Sequence, residues 1–152
     1  MTVRDLPPAL TGVFRPRAAR VVAGAVATGL VVGAGFLVVM LPRIAPLRST
    51  AGDRWGIVVV AALAAAILAR HALVKAVPDA AGLAVSNLIR SRRVAWAQVV
   101  AVRFGAGRPW VSLDLSDGST LAVMAIQASD GGYALKEAGR LAALVEWGSA
   151  VE

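Results

Sequence analysis

The chain has 152 residues, of which 58% are apolar and 5% aromatic, and its mean hydropathy is +0.71. This hydropathy is typical of a membrane protein and excludes an ordinary soluble domain of this length. The absence of cysteine excludes disulfides, thiolate chemistry and cysteine–zinc sites. In a soluble protein, a net charge of +7 would indicate a nucleic-acid partner. Here the arginines flank apolar segments, so we expect the lipid bilayer as the partner and no nucleic acid.

Two long apolar segments follow a basic stub of residues 1–20. The first, about residues 21–41, has no charged residue, and about 20 apolar residues cross the hydrocarbon layer as a helix. The second, about residues 55–74, is weaker, because Trp55–Ala69 gives only about 22 Å of helix and its extension includes an arginine and a histidine. We expect a two-span membrane hairpin. The alternatives are a cleaved signal peptide for the first segment and an interfacial or buried helix for the second.

Basic residues predict how the hairpin is oriented. They are more numerous beyond the two segments than in the connector between them, so the positive-inside rule places both termini in the cytoplasm and residues 42–54 outside. The flanking cations are Arg4, Arg15, Arg17, Arg20, Arg70, Lys75, Arg90, Arg92 and Arg93, and those of the connector are Arg43, Arg48 and Arg54. The expected location is the cell membrane, with two passes and a cytoplasmic stub.

Small residues recur every four positions in both segments and predict helix–helix packing. Small side chains let two helices approach closely, and this packing drives association in lipid. The residues are Ala25, Gly29 and Gly33 in the first segment and Ala61 and Ala65, or Ala62 and Ala66, in the second. The alternative to packing within the hairpin is a homo-oligomer formed through the Gly29 and Gly33 face.

After residue 74 the pattern changes to short β-like stretches separated by turn residues, which predicts a meander or barrel of five or six strands. In one of them, Trp110–Leu115, polar and apolar residues alternate strictly. The following Ser116–Ser119 is expected to be a tight turn, because its Asp-Gly pair readily supplies a positive φ.

From Gly132 onward the spacing of apolar residues predicts a C-terminal amphipathic helix that covers the sheet. Ser129 or Asp130 is its expected N-cap, and Gly148 is its expected stop. The predicted apolar face consists of Leu135, Ala138, Leu141 or Ala142, and Val145.

Several stretches together resemble a known family. They are FRPRAAR before the first apolar segment, GLAVSNLIRSRRVAWAQVVAVRFG and WVSLDLSDGSTLAVMAIQ. With the two segments, they are similar to small actinobacterial membrane proteins that carry a bacterial pleckstrin-homology-like (PH-like) domain, the relatives of the mycobacterial low-molecular-weight protein antigen 6. The resemblance implies a bent antiparallel sheet closed by a C-terminal helix. The expected fold is therefore an α+β membrane protein with a hairpin at 21–74, a PH-like domain at 75–148 and a tail at 149–152.

Catalysis has little support in the sequence. The single histidine, His71, falls at the expected membrane boundary, and Asp79, Asp117 and Asp130 occupy predicted turns, where aspartate commonly caps backbone N–H groups. No cluster has the spacing of metal ligands, and the Gly105–Gly107 loop is too short to cradle a phosphate. We expect a protein that is not an enzyme and has no catalytic residue, cofactor or metal.

Arg90, Arg92 and Arg93 are the candidate functional residues. Three cations within four residues at a hairpin tip would be attracted to an anionic leaflet by about 1 kcal/mol each. The alternative is a solvated turn that only adds to the positive-inside bias. PH domains that bind phosphoinositides usually carry basic residues around their first hairpin loop, whereas here that loop, Pro78–Gly82, has no cation.

Three functions fit these features. The first is a protein-interaction or adaptor module that the hairpin holds at the cytoplasmic face, beside an unidentified membrane or cytoplasmic protein. The second is a sensor of anionic lipid that works through the arginine tip, for which binding would depend steeply on salt. The third is an accessory subunit of a membrane enzyme or transporter, because a hairpin without intramembrane charges is a poor transporter by itself.

The orientation can be tested by labelling cysteines in intact cells. A cysteine introduced at Ser49 is expected to react with an impermeant maleimide, whereas one at Ser129 is expected to be protected until the cells are lysed. Protection at position 49 together with labelling at position 129 would reverse the topology.

Overall fold

The computed structural model describes residues 10–45, 50–105 and 107–150. The chain divides into two compact units. One, which we call the domain, runs to Ala18 and resumes at Leu73, and the other consists of the residues between them. The architecture comprises two long apolar helices, two small antiparallel sheets and a C-terminal helix, and it confirms the predicted α+β class.

Two long helices account for the unit between Ala18 and Leu73. Helix α1 is Arg17–Ile44 and helix α2 is Ala51–Ala72. Their 28 and 22 residues correspond to about 42 Å and about 33 Å, so both helices are long and apolar enough to cross a membrane. The predicted second segment is about residues 55–74. Helix α2 begins four residues earlier, at Ala51, and ends two residues earlier, at Ala72.

Local hydrogen bonds explain where these helices begin and end. Thr50 and Asp53 form a capping box before α2, in which the Thr50 N–H donates to Asp53 Oδ2 (2.7 Å) and the Asp53 N–H donates to Thr50 Oγ1 (3.2 Å). In the last turn of α1 the Arg43 guanidinium donates to the Val39 carbonyl (2.6 Å), one turn earlier in the same helix. Ser49 lies outside the described residues.

The described part of the domain contains six strands in two antiparallel sheets. One sheet pairs β1, β2 and β3 in chain order, and the other pairs β4, β5 and β6 in chain order. This consecutive pairing is the meander that the sequence predicts. The strands are β1 Lys75–Asp79, β2 Gly82–Ser86, β3 Ser91–Ala95, β4 Val99–Arg103, β5 Trp110–Leu115 and β6 Thr120–Gln127.

Strand β5 and its turn follow the sequence pattern closely. Val111, Leu113 and Leu115 are buried, as expected for alternate residues that face a core. In the turn to β6, Gly118 has φ +79° and its N–H donates to the Leu115 carbonyl (2.9 Å). A positive φ is costly for other residues, so the glycine determines the turn.

Helix α3 is Gly132–Ser149 and packs against β4, β6 and the 3-10 turn Trp96–Gln98. Its buried face agrees with the predicted one at Ala138 and Leu141. Elsewhere Ala134 and Leu144 are buried in place of Leu135 and Val145. Leu135 is 64% exposed, and the buried residues are Ala134, Ala138, Leu141, Leu144 and Gly148. The predicted face was partly wrong because the spacing of alanines and leucines in this helix fits two adjacent stripes equally well.

Gly148 does not stop the helix. It lies inside α3, where a Cβ atom would come within 2.3 Å of the Trp96 Cβ. The missing side chain thus lets the last turn of α3 pack directly on the indole. The Trp96 Nε1–H donates to the Asp79 carbonyl (2.9 Å), so this contact also ties the helix end to the first hairpin.

The N-terminal segment before α1 belongs to the domain. Phe14 is fully buried in the core, and its backbone forms a β-bridge with Ala76 of β1 through hydrogen bonds of 2.9 and 3.1 Å. The sequence pattern predicts a separate stub at residues 1–20 and a domain that begins at residue 75. The structure instead builds the domain from both sides of the helix pair.

Arg140 of α3 holds this segment in place. Its guanidinium lies over the Phe14 ring, 3.7 Å from the ring centre, and donates to the carbonyls of Leu10 (3.1 Å) and Gly12 (2.7 Å). It also pairs with Glu137 at 2.6 Å, in a setting where both side chains are largely buried. One side chain therefore neutralises a carboxylate, covers an aromatic ring and satisfies two carbonyls.

Asp130 caps a different helix from the predicted one. Its carboxylate accepts the N–H groups of Arg17 (3.0 Å) and Ala18 (2.7 Å), which are the first residues of α1. The N-cap of α3 is Gly131, which makes no side-chain capping bond. The prediction of an N-cap at Ser129 or Asp130 for α3 was wrong, because a capping motif in sequence does not reveal which helix start lies nearby in space.

Replacing Phe14 with alanine tests whether the N-terminal segment is part of the domain. We expect this variant to lose about 3–5 kcal/mol of stability, because a fully buried aromatic ring is removed from the core. The measurement is thermal or urea unfolding of the purified full-length protein, followed by tryptophan fluorescence. The neighbouring Val13, which is exposed, provides the control: Val13→Ala should change stability little. Equal, small effects of both changes would contradict this role for Phe14.

Candidate functional site

The three candidate arginines lie at the β2–β3 hairpin. Arg90 precedes β3, whereas Arg92 and Arg93 lie within it, opposite Val85 and Ala84 of β2. Neighbouring residues of a strand point to opposite faces, so Arg92 and Arg93 do not form one cluster.

Two of the three arginines are engaged in ion pairs. Arg92 contacts the Asp117 carboxylate at 3.2 Å and donates to the Ser119 hydroxyl at 3.3 Å, in the β5–β6 turn. Arg93 contacts Asp79 at 2.5 Å, at the end of β1. Both pairs are exposed to solvent, so each contributes little to the stability of the fold. Their main consequence is electrostatic, because each aspartate offsets the charge that its arginine would present to an anionic surface.

The Asp117 carboxylate is held in its charged form. Hydrogen bonds from the Ser119 hydroxyl and backbone N–H (2.8 Å) lower the pKa of Asp117 below its usual 3.8, and Arg92 lowers it further. A lowered pKa in the folded state adds stability above the unfolded-state value, and this contribution is lost as the pH falls through the folded-state value. Asp117 therefore carries its negative charge at neutral pH.

Arg90 differs from its two neighbours. Its side chain forms no ion pair within the described residues, and the adjacent Ile89 is 84% exposed. The turn that carries them is fixed by Asn87, whose amide donates to the Ala122 carbonyl (2.7 Å) and accepts the Met124 N–H (3.1 Å). The tip of the hairpin is thus a fixed turn that presents one apolar and one cationic side chain.

Strand β4 provides a second candidate surface. It pairs with β5 on one side, and the described residues supply no strand for its other side. Its Val100 is 68% exposed, at a position where the pairing register with β5 shifts. Helix α3 packs beside this strand. An open strand edge beside a helix is a geometry that proteins use to bind an extended peptide as an additional strand.

The small residues predicted to pack the helices lie partly along a groove between α1 and α2. Gly29, Gly33 and Ala61 line this apolar groove, whereas Ala25 and Ala65 are not among its lining residues. A Cβ atom at Gly29 or Gly33 would meet nothing within 4 Å. Close packing through these residues, within the hairpin or between two copies, stays a prediction.

The described residues contain no group of three or more histidine, cysteine, aspartate or glutamate side chains that could hold a metal ion. His71 lies near the end of α2, where its Nδ1 is 3.1 Å from the Ile67 carbonyl. The role of Arg140 is not predictable from the sequence. No pattern of neighbouring residues indicates that an arginine of a helix will donate to carbonyls about 130 residues earlier in the chain. The signal available for Phe14 is the FRPR motif, in which it is the single aromatic residue beside two arginines.

The pKa of Asp117 reports how firmly the tip arginine Arg92 is engaged. A carboxyl NMR titration of the full-length protein should give a midpoint below 3.8 for Asp117. The midpoint should rise in Ser119→Ala, because the hydroxyl is the largest cause of the shift, and should rise less in Arg92→Gln. A larger rise in Arg92→Gln would mean that the ion pair dominates and that Arg92 is more tightly held than its exposure suggests.

Comparisons with known proteins agree with the fold. Residues 74–143 match the family model of the bacterial PH domain. Uncharacterized proteins of Mycobacterium tuberculosis and Mycobacterium bovis are 48% identical over 50 residues, which cover 33% of this chain and 32% of each relative, so the match spans about a third of their length. No solved structure matches the chain significantly. Residues 74–143 thus form a bacterial PH domain, in a chain whose two apolar helices are long enough to cross a membrane.

Proposed function

We propose that this protein is a non-enzymatic adaptor of the cell membrane, whose PH domain binds a membrane or cytoplasmic protein at the cytoplasmic face. The observation that carries the proposal is the open edge of β4 beside α3, with Val100 exposed on it. A partner segment could add a strand there through backbone hydrogen bonds, and Val100 would offer it an apolar contact.

The Phe14–Ala76 bridge supports a location of both termini on one side of the membrane. Phe14 precedes α1 and Ala76 follows α2, and their backbones are hydrogen-bonded to each other. If both helices cross the bilayer, the start of α1 and the end of α2 must therefore lie on the same side. The excess of arginine and lysine beyond the helices favours the cytoplasmic side.

Anchoring by the two helices would strengthen the apparent affinity of such an adaptor for its partner. A domain confined to the membrane meets a partner in the same membrane at a high effective concentration, so a weak peptide interaction is sufficient. The ion pairs of Arg92 and Arg93 support the protein partner over the lipid surface, because they offset two of the three charges that the lipid alternative relies on.

The second candidate function, sensing of anionic lipid by the hairpin tip, retains support from Ile89 and Arg90. An exposed apolar residue beside a cation suits insertion into a membrane interface, and Asn87 holds this tip in place. The two functions differ in their response to salt. Binding through one arginine should weaken as salt screens the charge, whereas strand addition at β4 should change little.

The adaptor function can be tested by crosslinking in the native membrane. A photoreactive residue at position 100 is expected to capture one stoichiometric protein, identified by mass spectrometry. The change Val100→Lys should abolish association with that protein, because a charge on an open edge opposes strand addition.

Leu135 offers the matched control, since it is exposed to a similar extent on α3. Leu135→Lys should leave the association unchanged. Equal loss in both variants, or capture that disappears at high salt, would contradict strand addition at β4.

A further inference from the structure

A polar cleft lies within the domain, between the N-terminal segment and the first turns of α3. Its walls include Arg17, Tyr133, Lys136, Glu137 and Arg140. None of the residues that line the cleft belongs to the β2–β3 hairpin or to β4, so neither surface described above accounts for it.

The charges of this cleft are unbalanced. Its carboxylate, Glu137, is already paired with Arg140 at 2.6 Å, and the Arg140 guanidinium is further occupied by Phe14 and by two backbone carbonyls. Arg17 and Lys136 are both exposed, and neither forms an ion pair in the part of the chain that the structure describes. Two cations of this cleft therefore have no carboxylate partner among the described residues.

Arg17 is held in position for binding. Its guanidinium stacks on the Tyr133 ring at 3.7 Å, and its backbone N–H donates to Asp130. Stacking engages the flat face of the guanidinium and leaves its N–H groups at the edge available, which is the side that donates to a phosphate. The cleft thus presents the stacked Arg17 guanidinium and the exposed Lys136 ammonium to an anion.

The position of Arg17 in the chain indicates where that anion comes from. Arg17 is the first residue of α1, and the uncharged run of this helix begins four residues later at Val21. Four residues correspond to about 6 Å of helix, and the polar headgroup layer of a bilayer is of the same depth, about 5–8 Å. When α1 crosses the membrane, Arg17 lies at the level of the lipid phosphates.

We infer that this cleft binds the phosphate of an anionic phospholipid from the leaflet that surrounds the start of α1. Arg17 donates to the phosphate oxygens from its stacked position, and Lys136 adds a second positive charge. The inference does not depend on the adaptor function.

The test compares lipid binding by the full-length protein in detergent, measured by native mass spectrometry with added phosphatidylglycerol or phosphatidylcholine. Wild type should bind phosphatidylglycerol more tightly than phosphatidylcholine. The double variant Arg17→Gln/Lys136→Gln should bind phosphatidylglycerol about thirtyfold more weakly, since each cation near a lipid surface contributes about fivefold.

The matched control is Arg92→Gln/Arg93→Gln, which removes the same charge from the hairpin tip and should leave phosphatidylglycerol binding unchanged. Because Arg17 also packs on Tyr133, the single variant Lys136→Gln serves where the double variant unfolds, with an expected loss of about fivefold.

Three results would overturn the inference. The first is an equal loss in the tip control, which would indicate a general effect of charge. The second is equal affinity of the wild type for the two lipids. The third is binding of soluble glycerol 3-phosphate as tight as that of phosphatidylglycerol, which would make the bilayer irrelevant to the site.

Discussion

The β-bridge between Phe14 and Ala76 is the constraint on which the organisation of this protein depends. It joins the residues just before α1 to those just after α2, so the domain is assembled across the whole helix pair. The burial of the Phe14 ring supplies most of the stabilisation, and the two backbone hydrogen bonds determine the register. Arg140 then covers the ring and the carbonyls that the short segment would leave unsatisfied. The domain cannot be complete without the residues that lead into α1.

Arginine has two different roles in this chain. Arg140 is largely buried and structural, because its fork of donors matches a carboxylate and two carbonyls at once. Arg92 and Arg93 are exposed, but the turns of neighbouring hairpins supply aspartates that pair with them. The charge available for a partner at the hairpin tip is therefore smaller than the sequence suggests, and of the three tip arginines Arg90 alone has no ion pair among the described residues. Counting cations along a sequence overestimates a basic surface when turn aspartates are close in space.

Much of the fold could be predicted because its signals are local. A run of apolar residues long enough for a bilayer, strict alternation in Trp110–Leu115 and an Asp-Gly turn each involve neighbours in the chain, and the structure confirms all three. The apolar face of α3 was only partly predictable, since alanine fits either of two adjacent stripes and the Trp96 side chain selects between them by contacting Gly148. The candidate site was less predictable still, because the partners of Arg92 and Arg93 lie on other hairpins.

The sequence by itself determined the two apolar helices, the meander of short strands, the C-terminal helix and the resemblance to bacterial PH-like membrane proteins. These follow from periodicity and hydropathy, which are properties of contiguous residues. Only the tertiary structure decided that Phe14 belongs to the core, that Asp130 caps α1, that two of the three tip arginines are paired, and that Arg17 and Lys136 share a cleft. Each of these depends on contacts between residues far apart in the chain, and their energies come from burial and charge pairing that no local pattern encodes.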